Sequence, residues 1–389
     1  MKKIDKTSDI TPEILSGLPS PCWLMEEKLL EVNLRILKDI KEQTGVKILL
    51  ALKGFAFWSE ADIIKYYLDG ICASGLHEAK LGSEEFGGEV HTYSPAYNVN
   101  DIEQIATLSH HMVFNSPDQI NMSGAAAKGY NPHLSVGLRV NPEYSAAPAE
   151  LYNPCAPYSR LGTLSKNMNH EILKDIDGLH FHALCEQDAN ALEQVLLVFE
   201  EKFGEYLPYV KWVNFGGGHH ITRQDYDKEH LIQILSDFKK RYPHLEIYLE
   251  PGEAIAWETG VLVSTVLDIV HNGIDIAILD TSAEAHMPDT IIMPYRAAVR
   301  GAGDAGEKKY TYRLAGNTCL AGDIMGDYSF DEPLKAGDKV IFEDQMHYTM
   351  VKATTFNGMQ LPAISILRKN MSTDIIREFN YRDFRDRLG

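Results

Sequence analysis

With 389 residues, 44% of them hydrophobic and 10% aromatic, the chain is too long for one small domain and can fill a large core plus a second module. Its 37 basic against 55 acidic residues, a net charge of −18, weigh against nucleic acid and favour a small cationic molecule steered in at long range, although acidic solubility explains the same imbalance. Five cysteines without Cys-x-x-Cys spacing point to neither a disulfide frame nor a metal site. With no apolar run after Met1 and no stretch of membrane-spanning length, a cytoplasmic protein without a membrane partner is expected.

In chain order, short β-rich runs fall at 46–52, 71–74, 90–94, 112–115, 134–140, 179–185, 212–215 and 246–250. Segments with apolar residues every three or four positions, such as 60–68, 78–86, 190–203 and 228–241, separate them as helices. Eight βα units in roughly 210 residues fit a (β/α)8 barrel of the TIM type better than the alternative, a doubly wound sheet. After Trp257 the runs 261–269, 274–279, 310–314, 339–342 and 363–367 lack long helices between them and predict an antiparallel β module, a sandwich or small barrel. The expected division is 31–258 for the barrel and 259–389 for the β domain, with a strand added from 1–30.

In a barrel the residues just past the strand C-termini face the active site, and the unusual residues fall there. Lys53 ends the first run, where desolvation at a pocket mouth makes an amine nucleophilic; a snorkelling lysine fits the same position. Arg139 closes the fifth run and His182 lies within the sixth, able to stack on a flat ring or to sit as a core histidine. Gly216, Gly217 and Gly218 follow the seventh run and free backbone N–H groups for a phosphate, or form a mere flexible loop. Glu250 closes the eighth, where a carboxylate facing a pyridine nitrogen would keep that nitrogen protonated. In the second module Cys319 is a loop thiol suited to acid or nucleophile work, or a small buried apolar group, and Tyr348 offers a hydroxyl to a phosphate or to the core.

The order Lys53, His182, Gly216-Gly217-Gly218, Glu250-Pro251-Gly252, Cys319, Tyr348 resembles the pyridoxal 5'-phosphate (PLP)-dependent basic amino acid decarboxylases of the alanine racemase fold, over nearly the whole chain. Within that group the segments 51–56, 152–162, 182–186, 286–289 and 318–323 are most similar to the carboxynorspermidine (carboxyspermidine) decarboxylases. The resemblance implies that Lys53 attaches PLP, His182 stacks on its ring, Glu250 bonds its ring nitrogen, and Gly216 to Gly218 with Tyr348 hold the phosphate. It also implies a homodimer in which Cys319 of one subunit serves the other's site, returning a proton to Cα after CO2 leaves. A substrate with several ammonium groups calls for carboxylates, and Glu186, Asp289, Asp323 and Glu253 are the candidates.

Two departures set this chain apart. Glu253 stands where ornithine and diaminopimelate decarboxylases usually carry arginine, and Ile71 where they often carry an acid, which speaks against those substrates. The rivals are a decarboxylase of ornithine, lysine or diaminopimelate, an amino acid racemase, and a non-catalytic PLP-binding regulator. Residues 146–158, rich in Pro and Ala without helical period, suit a lid.

Overall fold

The structure, a computed structural model, describes residues 6–147 and 149–389. Residues 1–5, within the expected 1–30 segment, and Pro148, within the expected lid, lie outside the described residues. The chain divides into two compact units, Asn33–Ile255 and Met1–Val32 with Ala256–Gly389.

The strands in chain order begin with β1 (Cys22–Glu26), which belongs to the second unit, followed by β2 (Lys47–Ala51), β3 (Gly70–Ala73), β4 (Glu89–Tyr93), β5 (His111–Phe114), β6 (Ser135–Arg139), β7 (Gly178–His180), β8 (Trp212–Asn214) and β9 (Glu246–Leu249). Strands β2 to β9 pair in sequence order, every neighbour parallel, and β2 pairs with β9 to close the barrel. They read as near-continuous apolar runs because both faces are covered, as in β2, where Ile48, Leu49, Leu50 and Ala51 are all buried. The helix Lys228–Arg241 has the expected bounds: Asp227 caps it by accepting the His230 amide, and Leu231, Ile234, Leu235 and Phe238 form its buried stripe. Each such side chain contributes about 1.5–3 kcal/mol on burial. The sixth expected run, 179–185, is cut short: β7 stops at His180, so His182 lies two residues past the strand and not inside it.

At the strand N-termini the barrel is plugged by rings. His111 stacks on Trp212 (centroids 4.5 Å apart) and on His91 (3.8 Å, 20° between planes), and Tyr248 stands edge-on to Trp212. The indole fits only over glycine: a Cβ on Gly178 would lie 2.0 Å from it and one on Gly137 2.4 Å. Donor atoms of Glu89, His91 and His111 lie within 4.8 Å of one another, close enough to consider a metal. Lys47 already supplies a cation there, its Nζ 2.6 Å from Glu89 Oε1.

The second unit holds β1 together with β10 (Gly260–His271), β11 (Asp275–Leu279), β12 (Gly303–Asp304), β13 (Tyr310–Ala315), β14 (Ile324–Phe330), β15 (Lys339–Glu343), β16 (Ala363–Leu367) and β17 (Thr373–Arg377). Their order is β12-β14-β13-β11-β10-β1-β16-β17, with β15 also on β10. The expected antiparallel module is in fact mixed, since β1 pairs parallel with β16 and β11 parallel with β13. Alternation reveals a strand but not its direction, and partners this far apart in sequence need no hairpin. Cys22, Leu24, Val261, Val263, Ala363 and Leu367 pack into one core beneath Leu15 and Leu18.

Candidate functional site

Lys53 follows β2 by two residues, in a turn closed by the Gly54 and Phe55 amides on the Ala51 carbonyl at 3.1 and 3.3 Å. The turn packs tightly on the segment after β9, where a Cβ on Gly54 would lie 3.0 Å from the Glu253 amide nitrogen. The Lys53 side chain is exposed and makes no hydrogen bond or ion pair among the described residues. That corrects the picture of a desolvated amine: the strand is buried to its last residue, and the side chain leaves it.

Arg139, the last residue of β6, is buried; its guanidinium lies 4.5 Å from the centre of the Tyr93 ring and donates to the His182 carbonyl at 3.3 Å. His182 Nδ1 accepts the Gly217 amide at 2.9 Å, so the ring is neutral with its proton on Nε2. Burial, with the positive charges of Lys53 and Arg139, pushes its pKa well below the ordinary imidazole range.

Glu250, one residue past β9, accepts from Asn214 Nδ2 at 2.7 Å on Oε1, while His180 Nε2 stands 3.4 Å from Oε2. Burial alone would raise its pKa, yet His180, His91 and the Asn214 hydrogen bond outweigh that and hold it down to about 2. His180 itself is kept neutral by burial, so the Asn214 bond is the contact that favours the anion at neutral pH. Beside it the Cys72 thiol is kept protonated, first by burial and then by the Glu250 charge.

The glycine run packs more closely than a phosphate loop needs. A Cβ on Gly217 would lie 2.1 Å from the Glu250 carbonyl oxygen and one on Gly218 2.1 Å from that of Leu184; Gly216 and Gly218 also have φ of +71° and +88°. Two of the three amides are spoken for, since Gly216 N–H donates to Asn214 Oδ1 at 2.9 Å and Gly217 N–H to His182. Only the Gly218 amide donates to no protein group among the described residues. The expected triple amide cradle therefore narrows to Gly218, with Gly216 and Gly217 orienting Asn214 and His182. Glu253 pairs with His220, Oε2 to Nε2 at 3.2 Å, and Glu186 is exposed in the left-handed region at φ +53°.

In the second unit, Cys319 is exposed and carries a free thiol, its amide held by Asn357 Oδ1 at 2.7 Å. Tyr348 opens the short helix Tyr348–Lys352, with the Lys352 ammonium 5.2 Å from its ring centre. Two of the expected amine ligands are committed within this unit. Asp323 is buried and accepts from Ser282 Oγ (2.9 Å), Thr318 Oγ1 (2.6 Å) and the amides of Ala283 (2.7 Å) and Thr318 (3.1 Å), which saturates its oxygens and makes it the organiser of the 316–323 loop. Both oxygens of Asp289 lie on the Lys352 ammonium, at 2.6 and 2.9 Å.

Residues 29–345 match the family described as pyridoxal-dependent decarboxylase, C-terminal sheet domain. The chain belongs to the pyridoxal-dependent decarboxylases. It is 51% identical to the carboxynorspermidine/carboxyspermidine decarboxylase of Campylobacter jejuni, over 94% of this chain and 98% of that protein. It is 47% identical to the carboxyaminopropylagmatine decarboxylase of Synechocystis sp., over 96% and 97%. The crystal structure of the Campylobacter jejuni carboxynorspermidine decarboxylase complexed with norspermidine superposes with a TM-score of 0.89 at 49% identity, covering 95% of this chain and all of that one. A diaminopimelate decarboxylase at 18% identity shares the fold, with a TM-score of 0.83.

The barrel-end residues of this pyridoxal-dependent decarboxylase fit its cofactor. A lysine without a protein partner suits an aldehyde, an ionised half-buried carboxylate suits a ring nitrogen, a neutral imidazole suits a ring face, and an undonated glycine amide suits a phosphate oxygen. Asn214, His180 and Cys72 belong to the same constellation and were not singled out from sequence. His180 had a signal, because it shares strand parity with His182, and Asn214 immediately precedes Phe215 and the glycine run.

Proposed function

We propose that this pyridoxal-dependent decarboxylase removes CO2 from a carboxylated triamine, carboxynorspermidine or carboxyspermidine, releasing norspermidine or spermidine. The observation that carries this is 51% identity over almost the full length of a relative of that name. When bound, pyridoxal phosphate supplies the electron sink for the bonding pair that CO2 leaves behind. Lys53 would hold the cofactor through its side-chain nitrogen. His182 lies against the ring and Arg139 fixes the loop behind it; Glu250 keeps the ring nitrogen protonated. Gly218 and Tyr348 hold the phosphate, and Gly216 and Gly217 set the cradle's shape. Cys319, whose exposed thiol is open to a second subunit, donates the proton to Cα across a homodimer, and the enzyme works in the cytoplasm. Glu186 and Glu253 face the substrate ammonium groups.

A second substrate has support of its own: the 47% identity to a carboxyaminopropylagmatine decarboxylase favours a guanidinium-bearing homologue. CO2 release from carboxynorspermidine, carboxyspermidine, carboxyaminopropylagmatine, ornithine and diaminopimelate tests the proposal. The expected order places a carboxy-triamine first. A higher kcat/KM for ornithine or diaminopimelate overturns it.

A further inference from the structure

We infer that Asn214 is a positioning residue that ties Glu250 to the glycine loop and keeps that carboxylate ionised for the cofactor's ring nitrogen. The inference rests on the assignment of Glu250 made above. Asn214 ends β8 and is fully buried. Its Oδ1 accepts the Gly216 amide at 2.9 Å, which fixes the orientation of the carboxamide, so Nδ2 is the atom turned to Glu250 Oε1 at 2.7 Å. Gly216 completes the ring of contacts by accepting the Glu250 amide on its carbonyl at 2.8 Å. A single buried amide thus connects the seventh and eighth barrel strand ends through both side chain and backbone.

Only an amide satisfies both neighbours. An aspartate of the same shape would still accept from Gly216, but it would set an oxygen 2.7 Å from Glu250 where a donor now stands. Two carboxylates that close share one proton, and the pair would no longer present a full negative charge. The other groups around Glu250 do not replace Asn214 at neutral pH: His180 Nε2 stands 3.4 Å from Oε2, makes no hydrogen bond among the described residues and is kept neutral by burial, and the buried Cys72 thiol carries no positive charge.

The experiment is ¹⁵N NMR of the holoenzyme loaded with PLP labelled at the ring nitrogen, on wild type, Asn214→Asp and Glu250→Gln, with circular dichroism on each. For Asn214→Asp the expected result is native circular dichroism, a resonance moved toward the unprotonated position at neutral pH, and kcat lowered about 100-fold, the scale of losing one charge-stabilising group. An unmoved resonance in a folded, PLP-loaded Asn214→Asp variant overturns the inference. If Glu250→Gln moves the resonance and Asn214→Asp does not, the positioning role alone fails; if Glu250→Gln leaves it unmoved, the assignment of Glu250 fails first. Should Asn214→Asp not fold, Asn214→Ala replaces it. That variant is expected to bind PLP about tenfold more weakly in equilibrium dialysis of the apoenzyme, as for one charge-assisted hydrogen bond, and an unchanged Kd overturns the inference.

Discussion

Lys53, Cys319 and Asp323 are each expected to fail in a different way when truncated. Lys53→Ala should abolish the borohydride-reducible PLP adduct, read by mass spectrometry of the reduced protein; a retained adduct would move the attachment to another lysine. Cys319→Ala should keep PLP bound while kcat falls about 10²- to 10⁴-fold, the usual worth of a positioned proton donor; unchanged turnover would take the thiol out of the proton transfer. Asp323→Ala removes the buried acceptor of two hydroxyls and three amides from beneath an otherwise exposed loop, so it should lower stability by about 3 kcal/mol in urea unfolding. If it raised KM at native stability, Asp323 would regain the substrate-binding role first expected of it. The contrast shows what sequence can carry at this scale. Lys53 and Glu250 stand out because a charge at the end of an apolar run is unusual. Whether an aspartate in a Gly-flanked loop points at a ligand or at its own backbone depends on contacts such as Ser282 to Asp323, 41 positions apart, which no local pattern encodes.

The strands were the most legible elements, since burial on both faces leaves β-branched and apolar runs that survive without any alignment. Ends were less so: His180-Phe181-His182 reads as continuous strand, yet β7 releases the chain at His180 so that His182 can meet the Gly217 amide. Parallel pairing in the second sheet was invisible for the reason given above. The packing of Trp212 was equally hidden, because glycines at 137 and 178 look like strand weaknesses until the indole from β8 is laid over them. Gly178→Ala tests that contact. With 2.0 Å between the new methyl and the ring, the barrel floor must shift, and a loss of about 1–3 kcal/mol in thermal or urea unfolding is expected. A native-like melting curve would mean that the ring plug yields freely.

At the scale of the whole molecule, buried imidazoles set the response to acid. Burial holds His219 and His286 at about 4, against an ordinary 6.5, and pushes His91, His111, His180 and His182 down as well. A group whose folded pKa lies below its unfolded one binds its proton first in the unfolded chain, so its contribution is complete above pH 6.5 and is lost as the pH falls toward 4. For His219 or His286 that loss reaches about 3 kcal/mol at the folded pKa. The carboxylates act later and in the same direction: Glu250, at about 2, contributes above its unfolded pKa near 4.3 and loses that as the pH drops toward 2. Glu26, raised mainly by burial, works the other way and offsets a small part. Destabilisation should therefore begin below pH 6.5, before the carboxylates titrate. Proton uptake on urea unfolding isolates one histidine: at pH 5.5 wild type should take up about one proton more than His286→Gln, whose side-chain oxygen can still accept the Ser282 amide. Equal uptake in the two proteins would mean that His286 is already charged in the folded chain, and the early acid loss would then have to come from other groups.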